Sequence, residues 1–210
     1  MLQPEAVDFT RRAFLRLGLV VPATLALAGC GASSSEIGRV AAQELEPTPS
    51  CGENPSLTPP QTDGPFYTPS TPQRVSLLES GLTGPRMVLA GYVLSRQCQP
   101  VPGALLDFWQ ADAAGAYDNA VYRLRGHQFA DENGRYELET IVPGLYPGRT
   151  RHFHVKVQAP GGPILTTQLY FPNEPSNSRD GIFSPALVIA VQDTEDAKRG
   201  VFNFVVNQAS

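Results

Sequence analysis

Apolar and polar positions alternate in short runs along the second half of the chain, and turn formers separate the runs. Residues 87–94 and 104–109 are mainly apolar and flank the turn-like Gln97-Cys98-Gln99-Pro100. Residues 135–141 alternate charge with Tyr, Leu and Ile, and residues 153–157 alternate as well. Residues 164–171, 186–191 and 201–206 complete a set of strand-length runs. Side chains on a strand point alternately to its two faces, so such runs between turns predict an all-β fold, an antiparallel β-sandwich with long loops. Asp131-Glu132-Asn133-Gly134 is a turn signal placed directly before one strand. Helix is expected only in short pieces, with residues 195–199 as the candidate.

The N-terminal part reads differently. Arg11-Arg12 precedes a charge-free apolar run over residues 17–28. That run is shorter than the ~20 residues a membrane-spanning helix requires. The order of charge, short apolar stretch and small residues predicts a twin-arginine export signal over residues 1–30. It ends in Leu27-Ala28-Gly29-Cys30, which resembles a lipobox and implies a lipid on Cys30; cleavage after small residues is the plainer alternative. Residues 31–60 are rich in Ser, Pro, Glu and Gln and are expected to be a flexible tether. Residues 61–210 form the expected folded domain. The protein is therefore expected outside the cytoplasm, where Cys51 and Cys98 would pair as a disulfide; two free buried thiols are the alternative.

A length of 210 residues suits one sizeable domain, and a net charge of −4 leaves no basic stripe for nucleic acid. The 19 Gly and 20 Pro agree with many turns between short elements.

The chain has three histidines, His127, His152 and His154. His152 and His154 stand two apart on a predicted strand, so both imidazoles share one face and could hold one metal ion. By itself such a pair fits a polar stripe on a solvent face better than a metal site. No Cys lies beside it, which disfavours a thiolate zinc site. Tyr146 lies six residues before His152, and Tyr117 follows Gly115-Ala116. Phenolate oxygen combined with imidazole nitrogen suits a hard ferric ion.

The run Asp107-Phe108-Trp109-Gln110-Ala111-Asp112-Ala113-Ala114-Gly115-Ala116-Tyr117 resembles the intradiol ring-cleavage dioxygenases, in which a Trp, a Gly and a ligand Tyr recur in this order. Thr140-Ile141-Val142-Pro143-Gly144-Leu145-Tyr146-Pro147 resembles their second Tyr segment. Arg149-x-x-His152-x-His154 is similar to their Arg-Pro-x-His-x-His pattern, with Thr150 in place of Pro. Leu165-Thr166-Thr167-Gln168 and Thr62-Asp63-Gly64-Pro65-Phe66-Tyr67 also have counterparts in the family.

That resemblance implies an oxidoreductase with non-haem Fe(III) held by Tyr117, Tyr146, His152 and His154. Its substrates would be a catechol-type ring and O2, and its product a muconate-type dicarboxylate. Tyr146 would leave the metal and take up a proton, Arg149 would stabilise negative charge, and Gln168 would orient substrate. Trp109 is expected in the core, Tyr136 as a packing residue on a strand, and His127 on the surface or behind the ligands, all outside the ligand set; Asp112 and Asp118 are left open between structural and site roles. A non-catalytic β-sandwich binding module of a surface lipoprotein and a zinc or copper hydrolase are the competing readings.

Overall fold

The structure, a computed structural model, describes residues 56–208. The predicted signal, the lipobox-like Cys30 and nearly all of the predicted tether lie outside these residues. Among the described residues there are nine strands: β1 (Arg86–Leu94), β2 (Leu105–Trp109), β3 (Arg125–Phe129), β4 (Arg135–Ile141), β5 (His152–Gln158), β6 (Ile164–Tyr170), β7 (Ala190–Asp193), β8 (Lys198–Val201) and β9 (Phe204–Val205). One sheet runs β4-β1-β8-β7, with β9 also joined to β1. The other runs β3-β2-β5-β6 and is antiparallel throughout. In the first sheet β8 and β9 run parallel to β1. The described residues contain no helix long and apolar enough to cross a membrane.

Alternation assigns the faces. Leu106 and Phe108 of β2 join Phe153, Val155 and Val157 of β5 in the apolar core, together with Leu89 and Leu138 of the other sheet. The intervening residues point away from that core, and the register aligns them into rows. Trp109 stands opposite Arg125 on one side and His154 on the other, and His154 stands opposite Gln168. His152 stands opposite Tyr170, one row on. The outer face of this sheet is therefore polar, yet His152 and His154 are buried. The chain before β1 covers it: the Gln61 amide donates to the Thr166 carbonyl, and the Gln168 side-chain amide to the Thr62 carbonyl.

Three expectations are corrected. Residues 186–191 begin as a 3-10 turn, Pro185–Leu187, because Pro185 at its start cannot donate to a ladder; strand begins only at Ala190. Residues 201–206 are divided at Phe202 and Asn203, where the Asn203 side-chain oxygen, not a backbone carbonyl, accepts the Tyr92 amide. Where a short helix is expected over residues 195–199, the chain forms the turn of the β7–β8 hairpin and then the start of β8 at Lys198: Thr194 bonds Ala197 through both backbone and side chain. Those residues have no apolar face for a helix to bury. The Asp131 turn is present as expected, its carboxylate accepting the Asn133 and Arg135 amides.

Strand β3 was not foreseen. Its run Arg-Gly-His-Gln-Phe carries no apolar alternation. Gly126 is required because a Cβ there would stand 2.8 Å from Arg74 and 2.9 Å from Leu77.

Candidate active site

Residues predicted from distant parts of the chain meet on the covered face of the second sheet. Strand β5 presents His152 and His154, β6 presents Gln168, the loop after β2 brings Tyr117, and the loop after β4 brings Tyr146 and Arg149. Tyr117 Oη lies 3.3 Å from His152 Nε2, and His152 Nε2 lies 3.2 Å from His154 Nε2. The Tyr146 ring stands edge-on to the Tyr117 ring, with centroids 5.9 Å apart.

The protonation pattern follows from the partners. His152 Nδ1 lies 2.6 Å from the Thr150 carbonyl, which can only accept, so the proton is on Nδ1 and the Nε2 lone pair faces His154 and Tyr117. Burial pushes His152 down to about 4, and Arg149 adds to the fall. Burial also holds His154 well below the usual histidine range, with contributions from His152, Arg149, Arg125 and Lys156. Both imidazoles are neutral donors at physiological pH. The Tyr117 phenol is pushed up by burial, against the pull of Arg149 and Arg125, so its proton stays unless a cation replaces it.

Among the described residues no three His, Cys, Asp or Glu side chains converge to hold a metal ion. The donor set here is instead two imidazoles with phenols. Ligands at about 2.1 Å from one ion, subtending tetrahedral or octahedral angles, stand about 3.0–3.4 Å from each other. The two spacings seen here fall in that range, so Tyr117 Oη, His152 Nε2 and His154 Nε2 fit a mononuclear centre with hard oxygen and imidazole nitrogen donors, with the Tyr146 ring beside them. A thiolate zinc centre does not fit them.

Arg149 is fixed on both edges. Its Nε donates to Asp180 at 2.8 Å and its Nη2 to Gln168 Oε1 at 2.7 Å. Asp180 also accepts the Thr150 amide at 2.9 Å. A Pro at position 150 has no N–H to donate, so the departure from the family pattern supplies one bond of this network. Both ends of the Gln168 amide are engaged, one with Arg149 and one with Thr62.

Several residues outside the expected set shape the site. Phe66 stacks on Tyr117 at 4.5 Å and stands edge-on to Tyr146 at 5.4 Å. Arg125, fully buried, donates to the carbonyls of Asp118 and Phe66, which joins the Tyr117 loop to the segment over the site. Gly64 passes over His154, where a Cβ would stand 3.4 Å from the ring. Phe66 lies in a motif that was recognised, but nothing in that motif marked it as a ring-stacking partner; Arg125 and Asp180 carried no pattern at all.

The remaining candidates divide. Trp109 is fully buried, as a core residue is, and its ring lies flat on His154, with centroids 4.8 Å apart and planes 9° apart. Tyr136 is a packing residue as expected, buried with its hydroxyl donating to the Phe202 carbonyl. His127 is hydrogen-bonded to Thr71 at 2.8 Å and stands apart from the converging donors. Asp118 accepts the Ala120, Val121 and Arg123 amides, and Asp112 those of Ala114 and Ala116. Cys98 is disulfide-bonded, with its partner outside the described residues.

A family model described as dioxygenase matches residues 62–207. The chain is 36% identical over 118 residues to the protocatechuate 3,4-dioxygenase beta chain of Burkholderia cepacia, covering 48% of this chain and 50% of that one. It is 30% identical over 165 residues to a hydroxyquinol 1,2-dioxygenase of Rhizobium sp., covering 65% of this chain and 56% of that one. The chain thus spans about half the length of these relatives. Among solved structures, the dioxygenase domain of a dioxygenase carbohydrate-binding protein fusion from Streptomyces sp. SirexAA-E superposes with a TM-score of 0.72 at 52% identity. The match covers 73% of this chain and 100% of that one. The 3-chlorocatechol 1,2-dioxygenase of Rhodococcus opacus 1CP superposes with a TM-score of 0.67 at 28% identity, covering 73% and 75%.

Proposed function

The chain belongs to the intradiol ring-cleavage dioxygenase family, and from that premise we propose that it opens a catechol-type ring with both atoms of O2 to give a muconate-type dicarboxylate. The observation that carries the proposal is the approach of Tyr117 Oη and His154 Nε2 to His152 Nε2, at 3.3 Å and 3.2 Å, beside Tyr146. Fe(III) is the metal that this donor set favours, held by Tyr117, Tyr146, His152 and His154. When bound, ferric iron would act as a Lewis acid that favours the deprotonated catechol and draws electron density from its ring.

The chain's own residues do the rest. The two imidazoles are neutral and need lose no proton to serve as donors. Tyr117, packed under Phe66 and against His152, is the more rigidly held phenol. Tyr146 has no hydrogen-bond partner for its hydroxyl among the described residues, and its neighbour Leu145 is half exposed. It is therefore the phenol free to give way to substrate and to accept a substrate proton. The Arg149 guanidinium, fixed by Asp180, would offer a positive charge to stabilise negative charge that develops on substrate. Gln168 holds the other edge of Arg149 and so orients that charge. A groove of about 460 Å³ runs along the outer side of Tyr146 and Arg149, lined also by Leu145, Ser176, Arg179 and Asp180; Tyr117, His152 and His154 do not line it.

The same reading extends to location. Arg11-Arg12, the apolar run after them and Leu27-Ala28-Gly29-Cys30 support export through a twin-arginine signal over residues 1–30 and a lipid on Cys30. Residues 31–60 would then tether a catalytic domain of residues 61–210 to the membrane surface.

Oxygen uptake with iron-loaded protein over a panel of catechols, with product identification, tests the reaction. Muconate-type dicarboxylates are the expected products. Semialdehydes, or no uptake with any catechol, would overturn the assignment.

A further inference from the structure

Tyr117 and Tyr146 come from different loops, yet those loops are joined at one residue, Asp112. Its carbonyl accepts the Gly144 amide at 2.7 Å and the Gly115 amide at 3.0 Å. Its Oδ1 accepts the Ala114 and Ala116 amides, both at 2.9 Å, and its own amide donates to the Ala116 carbonyl at 2.8 Å. The side chain thus folds the turn that ends at Tyr117, while the carbonyl of the same residue holds Gly144, two residues before Tyr146.

The junction leaves no slack. A Cβ on Gly144 would stand 2.4 Å from the Gly115 amide nitrogen, and one on Gly115 would stand 2.1 Å from the Leu145 carbonyl oxygen. Gly115 also has φ +87°, a conformation that L side chains rarely adopt. At the tip of the same loop there is open space: a Cβ on Gly148 would meet nothing within 4 Å. The loop bearing Tyr146 is therefore anchored at its root and open at its tip.

We propose that Asp112 is a positioning residue that sets the separation of the two phenols, and through it the completeness of the iron-binding set. This rests on the reading of the site as a ferric centre with two phenolate donors. Asp112 acts through hydrogen bonds and not through its charge. Both side-chain bonds fall on the one oxygen, Oδ1, so an Asn can accept the same two amides.

The test compares wild-type protein with Asp112→Asn and Asp112→Ala, each loaded with ferric iron. The visible phenolate-to-iron band per bound iron and the rate of iron loss to a chelator are the readouts. Asp112→Asn is expected to match wild type in both. Asp112→Ala is expected to lose about half of the band, one phenolate of two, and to release iron about tenfold faster, as outer-shell losses do. Should Asp112→Ala not fold, Asp112→Ser, which keeps one short acceptor, is expected to fall between the two. Amide exchange in the wild type is a second measurement: Ala116 and Gly144 are expected to exchange slowly and Gly148 fast. A full band and normal iron retention in Asp112→Ala would overturn the proposal, as would an Asp112→Asn as defective as Asp112→Ala, or a Gly144 amide exchanging as fast as that of Gly148. Iron-loaded wild type without a visible band would instead remove the two-phenolate reading beneath it.

Discussion

Asp180 holds three donors at once: Arg149 Nε at 2.8 Å, the Thr150 amide at 2.9 Å and, on its other oxygen, the Ile182 amide at 3.1 Å. Burial alone would raise its pKa. The amides of Thr150 and Ile182 and the Arg149 guanidinium outweigh burial and hold the carboxyl below the usual range. A carboxyl with a depressed folded pKa contributes stability that is fully present above its unfolded pKa of about 4. That contribution is lost as pH falls through the folded value. Asp180→Asn is therefore expected to melt at a lower temperature than wild type at neutral pH and to lose less on acidification below about pH 4. Calorimetry across that range decides it, and parallel pH curves for the two proteins would show that Asp180 carries no such linkage. Asp180→Asn should also slow ring opening more than it weakens iron binding, since it frees Arg149 and touches no proposed ligand. Asp180 was not legible beforehand because it lies some thirty residues from its partner in an unpatterned loop. The two His and two Tyr were legible, because a motif fixes their order and a strand fixes the spacing of the pair.

Strand β5 shows how the periodicity of an element carries chemistry. One face delivers Phe153, Val155 and Val157 to the core, and the other delivers His152 and His154 to the site and Lys156 to the covering segment, where it bonds Asp63 and Thr166. Apolar alternation made this element readable. Strand β3, at the edge of the same sheet beyond β2, has none, because its outer face carries Arg125, a cation that is buried and satisfied by carbonyls. Such burial is settled by tertiary contacts and leaves no trace in hydropathy. Similarly, residues 201–206 read as one run, since a side-chain oxygen standing in for a ladder carbonyl at Asn203 is not a matter of polarity pattern. Arg125 ties β3 to two loops, so its loss is an element-scale effect. Arg125→Met strips the donors from the half-buried Asp118 and Phe66 carbonyls, which water can replace in part. The variant is expected to be less stable by about 1–3 kcal/mol in urea unfolding and to bind catechols more weakly, as Phe66 loses its anchor. A midpoint unchanged from wild type would mean that water replaces the guanidinium at no cost.

Across the whole molecule the site is a seam between parts that the chain brings together only on folding. Residues 61–64 lie over β5 and β6, two loops bring the phenols, and the segment before β7 brings Asp180. The proposed donors span residues 117 to 154, and the cover begins near residue 61, so an unfolded chain offers no comparable site. A ligand that binds only the folded state stabilises it in proportion to the logarithm of its concentration over Kd, about 4 kcal/mol at a thousandfold excess. For a domain of this size that corresponds to a rise in Tm on the order of 10 °C. Iron-free protein is therefore expected to melt well below the ferric form, and the difference should grow with ferric concentration. A hard trivalent ion without redox chemistry, gallium, should give a comparable rise, because hard phenolate donors and not electron transfer provide the affinity. Zinc should give a smaller rise, and Tyr117→Phe should shrink the ferric and gallium shifts more than the zinc shift. Equal stabilisation by all three ions in wild type and in Tyr117→Phe would mean that the imidazoles alone hold the metal, and the two-phenol centre would fall with that result.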